Sequence, residues 1–363
     1  MIHHPFWQKF AVSATNSEYK QPSEHPIGQP SGHPSGLINS TTKYQKSNIQ
    51  QTNKIFDSVS PIISIEKPNN NFAVKITAAH TQWLQELTRL DSSTQTLAAE
   101  IMAVPNFTLL MNFLFRHSNY LSERWASEPE FVLSLLAHGP DAKATQIHQE
   151  LRQKLAQLPV GREETMRLLR RAKGQMALLI ALADICGFWP LERVTLALSD
   201  FAELTITLAA QQVALAMQFP QAAPSPELSA AATNGLIILG MGKLGGRELN
   251  YSSDIDLIIL FDAENVPPAM MALCGRKSLG ELYIALAREI VKILADVTED
   301  GYVFRTDLRL RPDPASTPLA LSIRAAEIYY ESVGQNWERA AMIKARPVGG
   351  DDAAGQVFLR GLT

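Results

Sequence analysis

The chain has 363 residues, of which 46% are hydrophobic and 19% charged, with a formal net charge of -3. That composition describes a soluble globular protein with core enough for more than one domain; its near-neutral balance gives no basic excess to recommend nucleic acid as partner, and no run of about 20 apolar residues offers a membrane span. The two cysteines, Cys186 and Cys274, are too few for a disulfide framework or a zinc site and read as thiols of a reducing cytoplasm.

Residues 1–77 are a different material from the rest. Ser, Pro, Gln, Asn, His and Gly dominate stretches such as EHPIGQPSGHPSGLINSTTKYQKSNIQQTNK, which hold too little apolar surface to offset the entropy of ordering, so a disordered tail is expected. It lacks the basic start and continuous apolar centre of a secretion signal. His3, His4, His25 and His33 have no metal-site spacing.

Residues 78–218 read as a helical domain. Leu84, Leu87 and Leu90 recur at threes, a longer pattern runs from Leu97 to Phe115 across Pro105, and Gly139-Pro140 marks a turn between Phe131–Leu136 and Ile147–Leu158. The segment Glu163–Cys186 opens with acids in its first turn and stops before Gly187 and Pro190, as a long helix should. Its Arg167, Arg170, Arg171 and Lys173 form a basic patch, either a contact for an acidic partner or a solvated face. A second long helix is expected over Leu191–Gln218, and the proline-rich stretch FPQAAPSP opens a linker, 219–232, before a catalytic domain at 233–363.

The chemistry concentrates in LIILGMGKLGGRELNYSSDIDLIILFD, residues 236–262. It reads as strand, glycine turn, short helix and strand. Asp254 and Asp256, two apart on a strand, point the same way, while Ile255, Leu257 and Ile259 bury the other face. Two close carboxylates raise the cost of ionising each other, and Mg2+, a hard ion that accepts carboxylate and phosphate oxygens, relieves the conflict. On the motif alone, a polar strand start facing water gives the same letters.

After a crossover helix at Gly280–Val297, YVFRTDLRLR (Tyr302–Arg311) alternates Tyr302, Phe304, Leu308 and Leu310 against Arg305, Asp307, Arg309 and Arg311, which predicts another strand. If Asp307 lies beside the first pair, three carboxylates can hold two metals that clamp an in-line displacement at phosphorus. Gly240, Gly242 and Ser253 are candidates for letting backbone approach phosphate, and Lys243, Arg309 and Arg311 for binding its charge. Further on, Lys344 and Arg346 are either surface cations or close over the nucleotide. A solvated edge strand is the competing reading of Tyr302–Arg311. Gly240, Gly242 and Gly245 spell GxGxxG, but the loop from Gly246 to Ser253 is too short for a dinucleotide crossover, typically about 20 residues, and Leu244 after Lys243 breaks a P-loop.

Taken together, these residues resemble the nucleotidyltransferase fold of the DNA polymerase beta type: an α+β protein with a disordered amino-terminal tail, a helical bundle and then a mixed sheet with packed helices. GMGKLGGRELNYSSDIDLI, FRTDLRLRPDPASTPLALS and YYESVGQNWERAAMIKARPVGGD resemble the bacterial bifunctional glutamine synthetase adenylyltransferase/adenylyl-removing family, and the wording of RLRPDPASTPLALS and QNWERAAMIKARP is similar to its amino-terminal, removing half. The resemblance implies a cytoplasmic enzyme that removes AMP from adenylylated glutamine synthetase with inorganic phosphate. ATP/ADP is its nucleotide, and glutamine and a PII-type signalling protein are its regulators. It implies Asp254 and Asp256 as ligands of two Mg2+ ions, with Asp307 helping to hold the one that activates the nucleophile. Because the family continues beyond the equivalent of Thr363, a fragment, a truncated product or a split protein is expected. An inactive chain that only docks glutamine synthetase or a PII-type regulator is the alternative, and a nucleotidyltransferase with another acceptor is a third.

Overall fold

The computed structural model describes residues 73–362, apart from 105–106, 158–160, 222–224 and 276. The tail expected over 1–77, with its four histidines, thus lies outside the described residues as far as 72, and α1 (Ala73–Leu87) begins ahead of the expected boundary. There follow α2 (Ser92–Met102), α3 (Phe107–His117), α4 (Asn119–Ser127), α5 (Pro129–His138), α6 (Pro140–Gln157), α7 (Arg162–Ile185) and α8 (Leu191–Gln218). Local chemistry sets their ends. Asp91 accepts the amides of Ser93 and Thr94 to cap α2, Ser118 accepts that of Leu121 to cap α4, and Gly139 ends α5 at a positive φ of 81°. The apolar tail of α7, Met176–Ala183, lies in the bundle core. Among the described residues no single helix is long and apolar enough to cross a membrane.

The stretch read as a linker holds another helix, α9 (Pro226–Thr233), capped by Ser225 and fastened to α8 where Gln218 donates to the Ala232 carbonyl at 2.6 Å. The sheet then forms from β1 (Leu236–Gly240), β2 (Ile255–Phe261), β3 (Thr306–Asp307), β4 (Ala320–Ser322) and β5 (Arg346–Gly350). Between them lie α10 (Gly242–Gly245), α11 (Pro268–Ala272), α12 (Leu279–Ala295), α13 (Ile323–Ser332) and α14 (Asn336–Met342); α15 (Asp352–Gly361) closes the described chain. The strand order is β3-β2-β1-β5, with β4 also on β2. β1 runs antiparallel to β2 and β5, whereas β3 and β4 run parallel to β2, so the sheet is mixed and the protein α+β.

Period-two alternation divides the sheet between two cores. Ile255, Leu257, Ile259 and Phe261 of β2, with Leu236 and Ile238 of β1, join one apolar cluster continuous with the helices back to Trp83. Ile258 and Leu260, with Ile237 and Leu239, face a smaller cluster completed by Leu321, Ala326, Tyr330 and Phe358. Both faces of the sheet centre are therefore dry. The polar end of β2 is where chemistry has room.

Two expectations need correction. The strand expected over Tyr302–Arg311 is only Thr306–Asp307. Val303 and Phe304 are both buried while Tyr302 is exposed, because the amides of residues 303 and 304 both reach back to the Leu294 carbonyl at the end of α12. Past Asp307 the chain turns at once, since the Asp307 carboxylate accepts the Arg309 amide at 2.8 Å. Nor is the basic patch on α7 one exposed face. Arg170 is fully buried and donates to the carbonyls of Met166, Ile293, Asp296 and Gly301, tying α7 to the end of α12. Lys173 sets its ammonium 3.9 Å from the Phe304 ring centre, and burial of that amine pushes its pKa down to about 8.

Candidate active site

β2 and β3 bring two of the three expected acids together by register. Asp256 pairs with Asp307 on adjacent parallel strands, so their side chains share a face about 5 Å apart in backbone spacing. Asp254 enters just ahead of β2. Its neighbour Ile255 is fixed by a bond from its amide to the Arg305 carbonyl at 2.9 Å. Asp307 is thus on the same side of the sheet as Asp256.

The glycine turn fits around this cluster. The Met241 amide donates to the Asp256 carbonyl at 2.9 Å, and Gly242, at a positive φ of 52°, lies so close that an added Cβ would sit 3.0 Å from Asp256 Oδ2. Gly245 has a different reason to lack a side chain, because a Cβ there would stand 2.0 Å from the Lys344 carbonyl oxygen. The GxGxxG pattern therefore makes room for a carboxylate and for a neighbouring segment. Gly240 pairs with Arg346 on β5, and Lys243 is exposed on α10.

The electrostatics are those of crowded negative charge. Burial raises the Asp256 carboxyl above the ordinary range, and the charges of Asp307 and Asp254 push it further, against the pull of Arg309 and Lys243. Asp307 is held below its ordinary range by hydrogen bonds from Arg309, whose Nε lies 3.0 and 2.9 Å from the two carboxylate oxygens. Arg305 Nε donates to Asp254, with a second nitrogen on the Ser252 carbonyl at 2.7 Å and a third 3.3 Å from the Tyr302 hydroxyl. Each outer carboxylate thus has an arginine, and Asp256 between them has none. Among the described residues no three acidic, histidine or cysteine side chains are gathered closely enough to hold a metal as they stand. The donor set still suits a hard divalent cation, being all carboxylate oxygen with a partly buried member whose ionisation its neighbours oppose.

The other expected residues take varied places. Ser253 closes a turn with Asn250, its hydroxyl 2.8 Å from the Asn250 side-chain oxygen. Arg311 is turned away from the carboxylates and donates to the carbonyls of Leu308 and Pro314 at 2.8 and 2.7 Å, stapling the turn beyond β3. Lys344 pairs with Glu248, and Arg346 with Glu203 at 2.6 Å, so both brace the back of the glycine turn.

Sequence reasoning missed Arg305 as a site residue, although it stands on the charged face of YVFRTDLRLR. It also missed a stripe of α8. Ser199 accepts the Leu249 amide at 3.1 Å, Asp200 pairs with Arg247, Glu203 with Arg346, and Thr207 donates to the Val348 carbonyl at 3.2 Å. Polar residues near one-turn spacing in an apolar helix were the only available signal.

Residues 108–361, from α3 through the whole carboxylate cluster to α15, match the family model described as glutamate-ammonia ligase adenylyltransferase. The chain belongs to that family. Relatives carry the name bifunctional glutamine synthetase adenylyltransferase/adenylyl-removing enzyme. That of Rhizobium meliloti (strain 1021) is 49% identical over 201 residues, 55% of this chain and 20% of the relative. That of Mesorhizobium japonicum is 43% identical over 250 residues, 69% of this chain and 25% of the relative. That of Bradyrhizobium diazoefficiens is 42% identical over 284 residues, 76% of this chain and 27% of the relative. The match thus spans about a fifth to a quarter of these relatives' length.

Proposed function

We propose that this chain carries an adenylyl-removing centre: inorganic phosphate attacks the phosphodiester joining AMP to a tyrosine of glutamine synthetase, releasing ADP and the unmodified enzyme. The observation that carries this reading is Asp256 in register with Asp307 beside a glycine turn, within a stretch matching a family of adenylyltransferases. Relatives named for both adenylyl transfer and removal leave two directions open. The wording of RLRPDPASTPLALS and QNWERAAMIKARP favours the amino-terminal, removing half.

An oxygen of phosphate forms the new bond to the AMP phosphorus as the bond to the tyrosine oxygen breaks; the electron pair leaves with that oxygen, which takes a proton to become the phenol. The protein's work is positioning and charge neutralisation. Asp254, Asp256 and Asp307 would hold Mg2+, which when bound supplies charge to the attacking and leaving oxygens. Lys243 and Arg309 add positive charge beside Asp256. The backbone at Gly240 and Gly242 lets phosphate come close, and Ser253 fixes the loop that delivers Asp254. Arg311, Lys344 and Arg346 keep the surrounding turns in place through the partners described above. Adenylylated glutamine synthetase and ADP are then the substrate and product, and ATP shares the nucleotide subsite. Glutamine and a PII-type protein are its regulators, and the setting is cytoplasmic.

The test is release of ADP from adenylylated glutamine synthetase with and without inorganic phosphate. Wild-type release should require phosphate, and Asp254→Asn or Asp256→Asn should slow it about 100-fold or more, the usual effect of removing one group that balances transition-state charge. Equal rates in the variants, or release indifferent to phosphate, would overturn the proposal.

A further inference from the structure

We propose that Arg305 stands in for a cation on Asp254 and hands that carboxylate over when a divalent metal binds, so that metal and substrate phosphate are taken up cooperatively. The inference rests on the phosphoryl-transfer reading above and deepens it. Nothing in the sequence singled out Arg305 from the other arginines of its segment, but its contacts do. Its guanidinium reaches Asp254, the Ser252 carbonyl at 2.7 Å and the Tyr302 hydroxyl at 3.3 Å, and its own carbonyl receives the Ile255 amide. All three guanidinium nitrogens are therefore engaged around the entry to β2. Arg309, by contrast, holds Asp307 from two residues away in one local turn, and 83% of its side chain is exposed.

A carboxylate only accepts, so a guanidinium on its oxygen and a metal on the same oxygen compete. The two outer acids each hold an arginine, Asp307 the one from its own turn and Asp254 one that arrives 51 residues later in the chain, while Asp256 feels only the charges of Arg309 and Lys243. That arrangement stabilises the site without metal and keeps the acids from being gathered. When a metal displaces Arg305 Nε from Asp254, the bonds to the Ser252 carbonyl and the Tyr302 hydroxyl retain the guanidinium nearby with a freed donor. A planar fork with donors to spare suits phosphate oxygens. Linkage makes the effect mutual: phosphate that engages Arg305 frees Asp254 for metal, and metal that takes Asp254 frees Arg305 for phosphate.

The experiment is calorimetric titration of the full chain with Mg2+, with and without inorganic phosphate, for wild type, Arg305→Gln, Arg305→Lys and Asp254→Asn, each checked for folding by its thermal melt. Without phosphate, Arg305→Gln should bind Mg2+ about 1.5- to 5-fold more tightly than wild type, the range expected for releasing an exposed ion pair. Phosphate should raise the Mg2+ affinity of wild type and do so less in Arg305→Gln. Arg305→Lys keeps the charge without the fork and should fall between the two. Metal binding in Arg305→Gln no tighter than in wild type overturns the handover, as does undiminished coupling to phosphate. A lysine variant identical to wild type also overturns it, since charge alone would then explain the effect. Loss of metal binding in Asp254→Asn alongside any of these leaves the phosphoryl-transfer reading standing, whereas Mg2+ binding indifferent to Asp254→Asn removes both.

Discussion

Tyr251 donates its hydroxyl to Asp184 Oδ2 at 2.8 Å, tying the loop that delivers Ser253 and Asp254 to the last turn of α7. Burial and the neighbouring carboxylate hold the phenol well above its usual range, so it stays a donor. Tyr251→Phe removes this tether while keeping the ring. It should lower thermal stability only slightly, about 0.5–1.5 kcal/mol for one hydrogen bond, yet reduce turnover by more than the stability loss explains, because Asp254 sits three residues on. Paired melting curves and rates of ADP release check this; unchanged turnover would show that the loop is held by other contacts.

The same pair gives a pH dependence. Burial raises the Asp184 carboxyl above its ordinary range, and the Tyr251 hydrogen bond only partly offsets this. The carboxylate also lies at the carboxy-terminal, negative end of a helix. The folded protein therefore binds this proton more tightly than the unfolded chain does. Its contribution to stability is fully present below the unfolded pKa, about 3.9, and is lost as pH rises through the raised folded value. Asp184→Asn retains an oxygen for Tyr251 and should be more stable than wild type near neutral pH, with the advantage closing below about pH 4. Melting temperatures across that range test the sign.

Arg170 is the largest buried polar investment in the helical region, 1% exposed with bonds to four carbonyls. Two of these, Ile293 and Asp296, belong to the end of α12, where helix carbonyls lack partners of their own. Arg170→Ala should cost about 2–5 kcal/mol, since it strands buried carbonyls at about 1–3 kcal/mol each. Arg170→Lys should recover only part, since an ammonium cannot span the same acceptors. Urea unfolding midpoints distinguish the three proteins.

What could be read in advance follows from how local each signal is. Leu282, Leu286, Ile290, Ile293 and Leu294 repeat with helical period, and all are buried in α12, because such a stripe has one way to meet a core. The alternation of Ile255, Leu257 and Ile259 against Asp256 likewise placed β2. Tyr302–Arg311 failed because its alternation competed with contacts that are distant in sequence: the Leu294 carbonyl drew residues 303 and 304 inward together, and Asp307 capped its own turn. Arg170 failed for the same reason. Its neighbours Arg167 and Arg171 are exposed cations, and three of its four acceptors lie 120 and more residues later in the chain. The carboxylates were legible as residue types, but the arginine that holds Asp254 could be assigned only once β2 and β3 were paired.

The glycine turn offers a last prediction, since Gly242 and Gly245 should fail differently. At Gly242 the obstacle to a side chain is Asp256 Oδ2 at 3.0 Å together with a positive φ. A carboxylate can shift by a few tenths of an ångström, so Gly242→Ala should fold, lose roughly 1–2 kcal/mol to the left-handed backbone, and lose most of its activity as Asp256 moves. At Gly245 the obstacle is the Lys344 backbone carbonyl, 2.0 Å from a Cβ, which no rotamer change relieves. Gly245→Ala must push α10 away from the residues leading into β5, so its principal effect should be on folding. A folded, inactive Gly242→Ala beside a poorly folded Gly245→Ala, measured by melting temperature and ADP release, is the expected result; the reverse order would mean that the turn is built around Lys344 more loosely than around Asp256.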